Sequence, residues 1–337
     1  MFKKISVIGA GGWGTALAIL LAHSRSTVRL WAHRPNLAEQ LHTLRENTDY
    51  LPGTRLPDNI CVTNDLAEAA DADLLVMVVP SRAFREMSGK LSALGLPAET
   101  VLVSCTKGIE HDTGFLMTQV LGECLPGLRL GVLSGPNLAA EIARRIPAAG
   151  VIGSTHREIL SPLQELFSVA NYRAYTSEDV CGIQLGGALK NIFAIAAGAS
   201  DGLGMGDNAK AALVTRALAE MTRLGVALGG CRETFSGLSG IGDLMVTCFS
   251  KQSRNRGFGE RLGRGETMEQ ILASMKMVAE GVPTAASALQ CAQRLGIDTP
   301  IIAQVHAVLY EHRSPKDGLL ALLDRPPKPE ADRPADS

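Results

Sequence analysis

The sequence has few aromatic residues: two Trp, four Tyr and eight Phe, or 4% of 337 positions. That leaves little material for base-stacking platforms or aromatic cages. Net charge is also lacking. Lys and Arg number 33 against 34 Asp and Glu, giving a formal charge of −1. A chain so near neutrality has no global attraction for nucleic acid, so any anion site must be local. Cysteine is present without a pattern. Cys61, Cys105, Cys124, Cys181, Cys231, Cys248 and Cys291 are odd in number and scattered, with no CxxC and no zinc-like Cys–His spacing. This argues against a disulfide framework or a structural metal and for reduced thiols. No internal repeat and no transmembrane span is expected. Lys3 and Lys4 ahead of an apolar stretch ending Ala22-His23-Ser24 imitate a signal peptide. Gly9, Gly11, Gly12 and Gly14 interrupt that stretch, so a cytoplasmic protein with an intact N-terminus is expected.

Glycine, by contrast, is abundant at 35 residues, which lets backbones and ligands approach closely. The length suggests about two domains, and 46% hydrophobic with 20% charged residues supplies a sizeable core. In the first half, apolar runs at 5–8, 27–31, 74–79, 101–104, 130–133 and 150–153 read as strands. Several are continuously apolar, as parallel strands covered on both faces require. Helix-like stretches at 15–22, 37–45, 66–69, 82–94 and 114–124 alternate with them. The alternation predicts an α/β, Rossmann-like, doubly wound parallel sheet. After residue 178 strand-like runs stop. Helical spacing at 177–199, 210–228, 234–238, 255–262, 268–275, 284–295 and 300–310 predicts an all-α second domain over 179–324. The proline-rich, charged tail 325–337 is expected to be disordered.

Five places carry chemistry. Gly9-Ala10-Gly11-Gly12-Trp13-Gly14 follows a strand and opens a helix. That context makes it a dinucleotide fingerprint: a tight turn at Gly9, close pyrophosphate approach at Gly11 and close helix packing at Gly14. The second strand ends in His33-Arg34 rather than in an acid, the next acid being Glu39. These two side chains face either a 2′-phosphate or solvent, and NADPH is expected to serve at least as well as NADH. Lys107, in Thr106-Lys107-Gly108, stands at a strand end where ligands bind, as do Pro80-Ser81 and Ser134-Gly135-Pro136-Asn137. Lys190 lies on a helix among Gly186, Gly187, Ala194 and Ala197. A lysine on so small-residued a stripe is either snorkelling on a packing face or a desolvated acid–base group, and catalysis is favoured. Finally, Asp243 closes a glycine-rich loop beginning at Gly237, and Arg254, Asn255, Arg261 and Arg264 follow with Glu260 the one acid among them. They read as an anion site rather than a solvated helix face.

These motifs resemble the bacterial NAD(P)-dependent glycerol-3-phosphate dehydrogenases over nearly the whole chain, from Ile5 to about Leu323. The matching stretches are GAGGWGTALA from Gly9, Cys105-Thr106-Lys107-Gly108, SGPN from Ser134, LGGALKN from Leu185, SDGLGMGDNAKAALVTR from Ser200, GIGDL from Gly240, QSRNR from Gln252 and VAEG from Val278. The resemblance implies reversible reduction of dihydroxyacetone phosphate to sn-glycerol 3-phosphate with NADP(H) or NAD(H), supplying phospholipid backbones. It implies cofactor contacts at Gly12, Trp13, His33, Arg34, Lys107, Ala139, Arg254, Val278 and Glu280. Substrate contacts are implied at Lys107, Gly135, Asn137, Lys190, Asp243, Ser253, Arg254 and Asn255, with Lys190 the proton donor and acceptor. Position 137 departs from the family's commoner Ser or Thr. A homodimer is implied, with no metal, no nucleic acid and no stable membrane insertion. Two other readings stay open: a different two-domain dehydrogenase acting on a hydroxyacid or sugar phosphate, and a non-catalytic NADPH-binding sensor.

Overall fold

A computed structural model describes residues 2–330 except 25, 170, 276–278 and 328. Ten strands are present among the described residues: β1 (Lys4–Ile8), β2 (Thr27–Trp31), β3 (Glu46–Asn47), β4 (Leu51–Arg55), β5 (Ile60–Thr63), β6 (Leu74–Met77), β7 (Val101–Ser104), β8 (Arg129–Ser134), β9 (Ala148–Gly153) and β10 (Tyr172–Ser177). Eight of them form one sheet in the order β10-β9-β8-β7-β6-β1-β2-β5, and β3-β4 is a separate hairpin. The six strands from β8 to β5 are parallel, and β9 with β10 runs against them. The sheet is thus parallel-dominated, with its direction reversed at β8/β9. After Ser134 the chain turns through Gly135, at φ +133°, and the short helix Ala139–Ala143, then comes straight back.

The unbroken apolar strands reflect double coverage. Leu74 and Val76 of β6 pack into the core on one face, while Leu75 and Met77 pack into the core on the other. The sequence does not reveal β5 and β10 because they are edge strands. Tyr172 and Ala174 point inward while Arg173 and Tyr175 stay exposed, so no continuous apolar run forms. The helices Arg157–Phe167, Asp243–Phe249 and Pro315–Leu323 also go unpredicted, and the expected helix at 234–238 is instead Arg232–Phe235 followed by the wide turn Leu238–Gly242.

Strand order changes direction at β1, whose neighbours are β2 and β6. Open α/β sheets bind ligands at such a switch point, outside the carboxyl ends of the strands. The helical part begins at Val180 and wraps one long helix, Val180–Gly202. By length and composition this helix could cross a membrane, which the sequence reading did not expect of any segment; 83% of its apolar window is buried inside the protein. It is a core helix. Helix Arg254–Gly263 lies directly on it: a Cβ at Gly198 would overlap the Arg256 carbonyl, and one at Gly259 would overlap the Ile195 carbonyl. Of the expected tail, residues 331–337 lie outside the described residues, and Arg325 pairs with Asp298 at 2.7 Å.

Candidate active site

The turn after β1 uses each glycine for a different reason. Gly9 has φ +122°, and a Cβ there would sit 2.7 Å from the Val78 carbonyl oxygen at the end of the neighbouring strand. A Cβ at Gly14 would overlap the Gly9 carbonyl, so the helix Gly12–Ala22 can start this close to the strand only with glycine. Gly11 is the exception. Nothing lies within 4 Å of a Cβ placed there, so steric crowding by the protein does not account for it. The hairpin β3-β4 flanks the turn. Buried Asn47 donates to the Ala10 carbonyl (3.0 Å) and to Thr15 Oγ1 (2.7 Å), and the Tyr50 carbonyl faces Gly12. Trp13 Nε1 is buried and unpartnered, among the described residues. His33 is exposed beside the Trp31 ring, and Arg34 donates to Tyr50 Oη at 2.9 Å.

The strand ends then meet the helical half. Asp243, at the first turn of helix Asp243–Phe249, is fully buried and carries a lysine on each carboxylate oxygen. Lys107 Nζ lies 2.5 Å from Oδ2 and donates to the Gly135 carbonyl (3.1 Å), and Lys190 Nζ pairs with Oδ1. Thr247, one turn beyond Asp243, accepts from Lys190 Nζ at 2.8 Å and donates to the Asp243 carbonyl. Small residues let these groups converge. A Cβ at Gly186 would overlap the Ser239 carbonyl, and one at Gly187 would crowd Ser134 Oγ and the Lys107 stem. Burial pushes the Lys190 ammonium down to about 7, and nearby Lys107 acts the same way against the upward pull of Asp243. A lysine so placed can give or accept a proton at neutral pH.

A second group joins the halves. Glu280 accepts from Ser81 N (3.1 Å) and Ser81 Oγ (2.6 Å), tying the turn after β6 to the helical part. Burial raises its pKa, an effect the Ser81 hydrogen bonds and Arg254 oppose. Arg254 lies near Glu280; desolvation lowers its pKa, an effect the Glu280 carboxylate opposes. Ser253 caps its helix by accepting from Arg256 N. The Asn255 amide is engaged twice, donating to Asn191 Oδ1 and accepting from Gly281 N, both at 2.9 Å. Asn137 accepts from Tyr172 Oη at 3.1 Å, while its Nδ2 is buried and, among the described residues, unpartnered. Ala139 opens the helix packed on the glycine-turn helix. Val278 lies outside the described residues.

The arginine cluster divides, contrary to the expectation of one anion site. Arg261 is paired with Glu266 and Arg264 with Glu260, while Arg256 bridges Asp201 (2.5 Å) and Glu260 (3.1 Å). Arg256 and Arg264 are carried round the helix from Arg254 to Asp201 and Glu260, while Arg261, on the same face but two turns on, is held by Glu266. Sequence reasoning did not single out Thr247 or Asn191, and it placed Ser81 only at a strand end where ligands bind, without its Glu280 partner. Thr247 follows Asp243 by one helical turn and Asn191 adjoins Lys190, but no residue type at these spacings announces a role.

Two family models cover the chain. Residues 4–160 match the NAD-dependent glycerol-3-phosphate dehydrogenase N-terminus, and residues 179–319 match the C-terminus of the same family. The chain belongs to this family. Among similar proteins, those of Geobacter metallireducens and Chlorobium phaeobacteroides are named glycerol-3-phosphate dehydrogenase (NAD(P)+). The first is 48% identical over 334 residues, covering 98% of this chain and 99% of the relative. The second is 46% identical over 331 residues, covering 97% and 99%. The solved glycerol-3-phosphate dehydrogenase of Coxiella burnetii is 37% identical, with a TM-score of 0.93 over 96% of this chain and 99% of that one. Membership in the dehydrogenase family makes this chain an NAD(P)-dependent oxidoreductase.

Proposed function

We propose that this chain reduces dihydroxyacetone phosphate to sn-glycerol 3-phosphate, reversibly, at the cleft between the glycine turn and the Lys107–Asp243–Lys190 cluster. The observation that carries the reading is the buried carboxylate of Asp243 joining two lysines beside the strand ends. The residues present fit a dinucleotide. The open space at Gly11, at the N-terminus of an 11-residue helix, suits a pyrophosphate against backbone N–H groups. When bound, the reduced nicotinamide supplies the hydride that the substrate carbonyl carbon accepts.

Lys190 gives its proton to the carbonyl oxygen as that oxygen gains charge, and takes it back in the reverse direction. General acid catalysis of this kind contributes roughly 10²–10⁴-fold. Lys107, held by Asp243 and the Gly135 carbonyl, donates to a substrate oxygen and stabilises the same charge. Asp243 orients both lysines, and Thr247 fixes the Lys190 ammonium from a second side. Arg254 anchors the substrate phosphate from the first turn of its helix, where the helix dipole favours an anion. Asn137 offers its unpartnered Nδ2 from the opposite wall. Glu280 and Ser81 hold the cofactor side of the cleft in register.

Residues 1–178 serve on this reading as the dinucleotide-binding domain and 179–324 as the substrate and dimerisation domain. The protein works as a cytoplasmic homodimer supplying a phospholipid precursor. The test is NADPH oxidation followed by absorbance, with dihydroxyacetone phosphate and then with dihydroxyacetone as substrate. Turnover should depend on the phosphate by two orders of magnitude or more in kcat/KM. Equal rates with the two ketones would sink the phosphate assignment, and binding without turnover would favour the sensor reading.

A further inference from the structure

The cleft has a feature that the β2 terminus conceals. NAD-selective sites place an acid at the end of the second strand to accept from the ribose hydroxyls, and here His33 and Arg34 stand there instead. The fold nevertheless brings an acid to that place from another element. Asp49, at the tip of the β3-β4 hairpin, puts its carboxylate 3.8 Å from the Arg34 guanidinium. Arg34 also donates to Tyr50 Oη and lies over the Tyr50 ring, 5.7 Å from its centroid.

The hairpin tip does not float. Asn47 is completely buried and clamps it to Ala10 and Thr15 of the glycine turn, and the Tyr50 carbonyl abuts Gly12. Asp49, between these anchors, is held at the rim between the pyrophosphate turn and the end of β2. An ion pair this exposed contributes little to stability.

We infer that Asp49 sets the balance between NADH and NADPH, admitting both. Its carboxylate accepts from the ribose 2′-hydroxyl of NADH, as a β2-terminal acid would, and repels the 2′-phosphate of NADPH. Arg34 attracts that phosphate. The two charges sit together and oppose each other, giving a site with dual use. The inference rests on the reading that the His33–Arg34 end of β2 faces the adenosine ribose.

The experiment uses the full chain and its Asp49→Asn variant: Kd for NADH and for NADPH is read by fluorescence titration without substrate, and kcat/KM for each with dihydroxyacetone phosphate saturating, and the two ratios should move together. A doubly charged phosphate beside a carboxylate in a water-like dielectric corresponds to about a tenfold change in binding. Loss of a charged hydrogen-bond acceptor is worth roughly three- to tenfold or more for NADH. The NADPH-to-NADH ratio of kcat/KM should therefore rise fivefold or more in Asp49→Asn. The NADPH part of that change should shrink as salt is raised, because exposed charges are screened. Asp49→Glu, which keeps the charge, should stay nearer the parent ratio. A ratio that moves less than fivefold, or KM values for both cofactors rising in parallel, would overturn the inference. Arg34→Ala separates the two layers of the argument: it should damage NADPH use more than NADH use. Equal damage to both would mean that the β2 end does not face the ribose at all.

Discussion

Replacing Lys190 by methionine tests the chemistry most directly. Methionine keeps an unbranched chain of similar length in the buried slot and removes the ammonium. The pocket should tolerate this, because Asp243 keeps Lys107 at 2.5 Å and so retains a counter-charge. The expected loss is in turnover: roughly 10²–10⁴-fold in kcat, or about 3–5 kcal/mol of transition-state stabilisation. NADPH binding, read by fluorescence titration, should change little, since the proposed role puts Lys190 on the substrate side. The pH profile is the sharper readout. Reduction requires the protonated lysine, and burial places its pKa at about 7. In the parent protein kcat/KM for reduction should fall as pH rises above about 7, and for oxidation as pH falls below it. The variant should lose both limbs. Stability follows the same linkage. The unfolded chain keeps the lysine proton up to its ordinary pKa near 10.5 while the native state releases it from about 7. Stability from this group therefore rises with pH across that window, and the methionine variant should lack the rise. A variant turning over within fivefold of the parent, with the same pH limbs, would refute the role assigned to Lys190.

Three further outcomes follow from the same geometry. Gly11→Ala should fold with an unchanged melting temperature, because an added Cβ there meets nothing, yet bind NADPH at least tenfold more weakly by titration; unimpaired binding would remove the pyrophosphate from this turn. Asp243→Asn should destabilise the protein by about 3–5 kcal/mol in urea unfolding, because it leaves buried Lys190 and half-buried Lys107 without their carboxylate; a loss under 1 kcal/mol would contradict the pairing. Glu220, buried and accepting from Ile301 N and Ile302 N at the start of helix Pro300–Tyr310, has its pKa pushed up to about 7. Its native state holds a proton that the unfolded chain loses near pH 4.5, so its contribution falls as pH rises from about 4.5 through 7. Thermal melts at pH 5 and pH 8 should show Glu220→Gln gaining on the parent at the higher pH, and a constant difference would count against this.

Much was legible along the chain. The central strands announce themselves because a doubly covered parallel strand must be apolar at every position, as Leu74–Met77 is. The glycine turn is readable because three separate steric demands converge on six residues. Lys190 stands out because glycines beside it are costly in a helix unless something approaches closely, and the Ser239 carbonyl and the Lys107 stem do. Membership in the dehydrogenase family follows from motifs spread over nearly the full length.

What remained hidden depends on juxtaposition across long sequence separations. Edge strands such as β10 bury only alternate residues, so their pattern resembles an ordinary polar loop. The Arg254–Arg264 segment reads as a run of uncompensated cations. Its carboxylate partners are fixed by helical phase and by Asp201 on the long helix, which a linear count of acids does not register. Asp243 is distant in sequence from both lysines it joins, and Asp49 reaches Arg34 only because the hairpin folds back onto the glycine turn. Residue types and periodicity determined which elements form and which side chains have the chemistry. Packing decided which charges face each other, because electrostatic pairing and desolvation depend on distance through space.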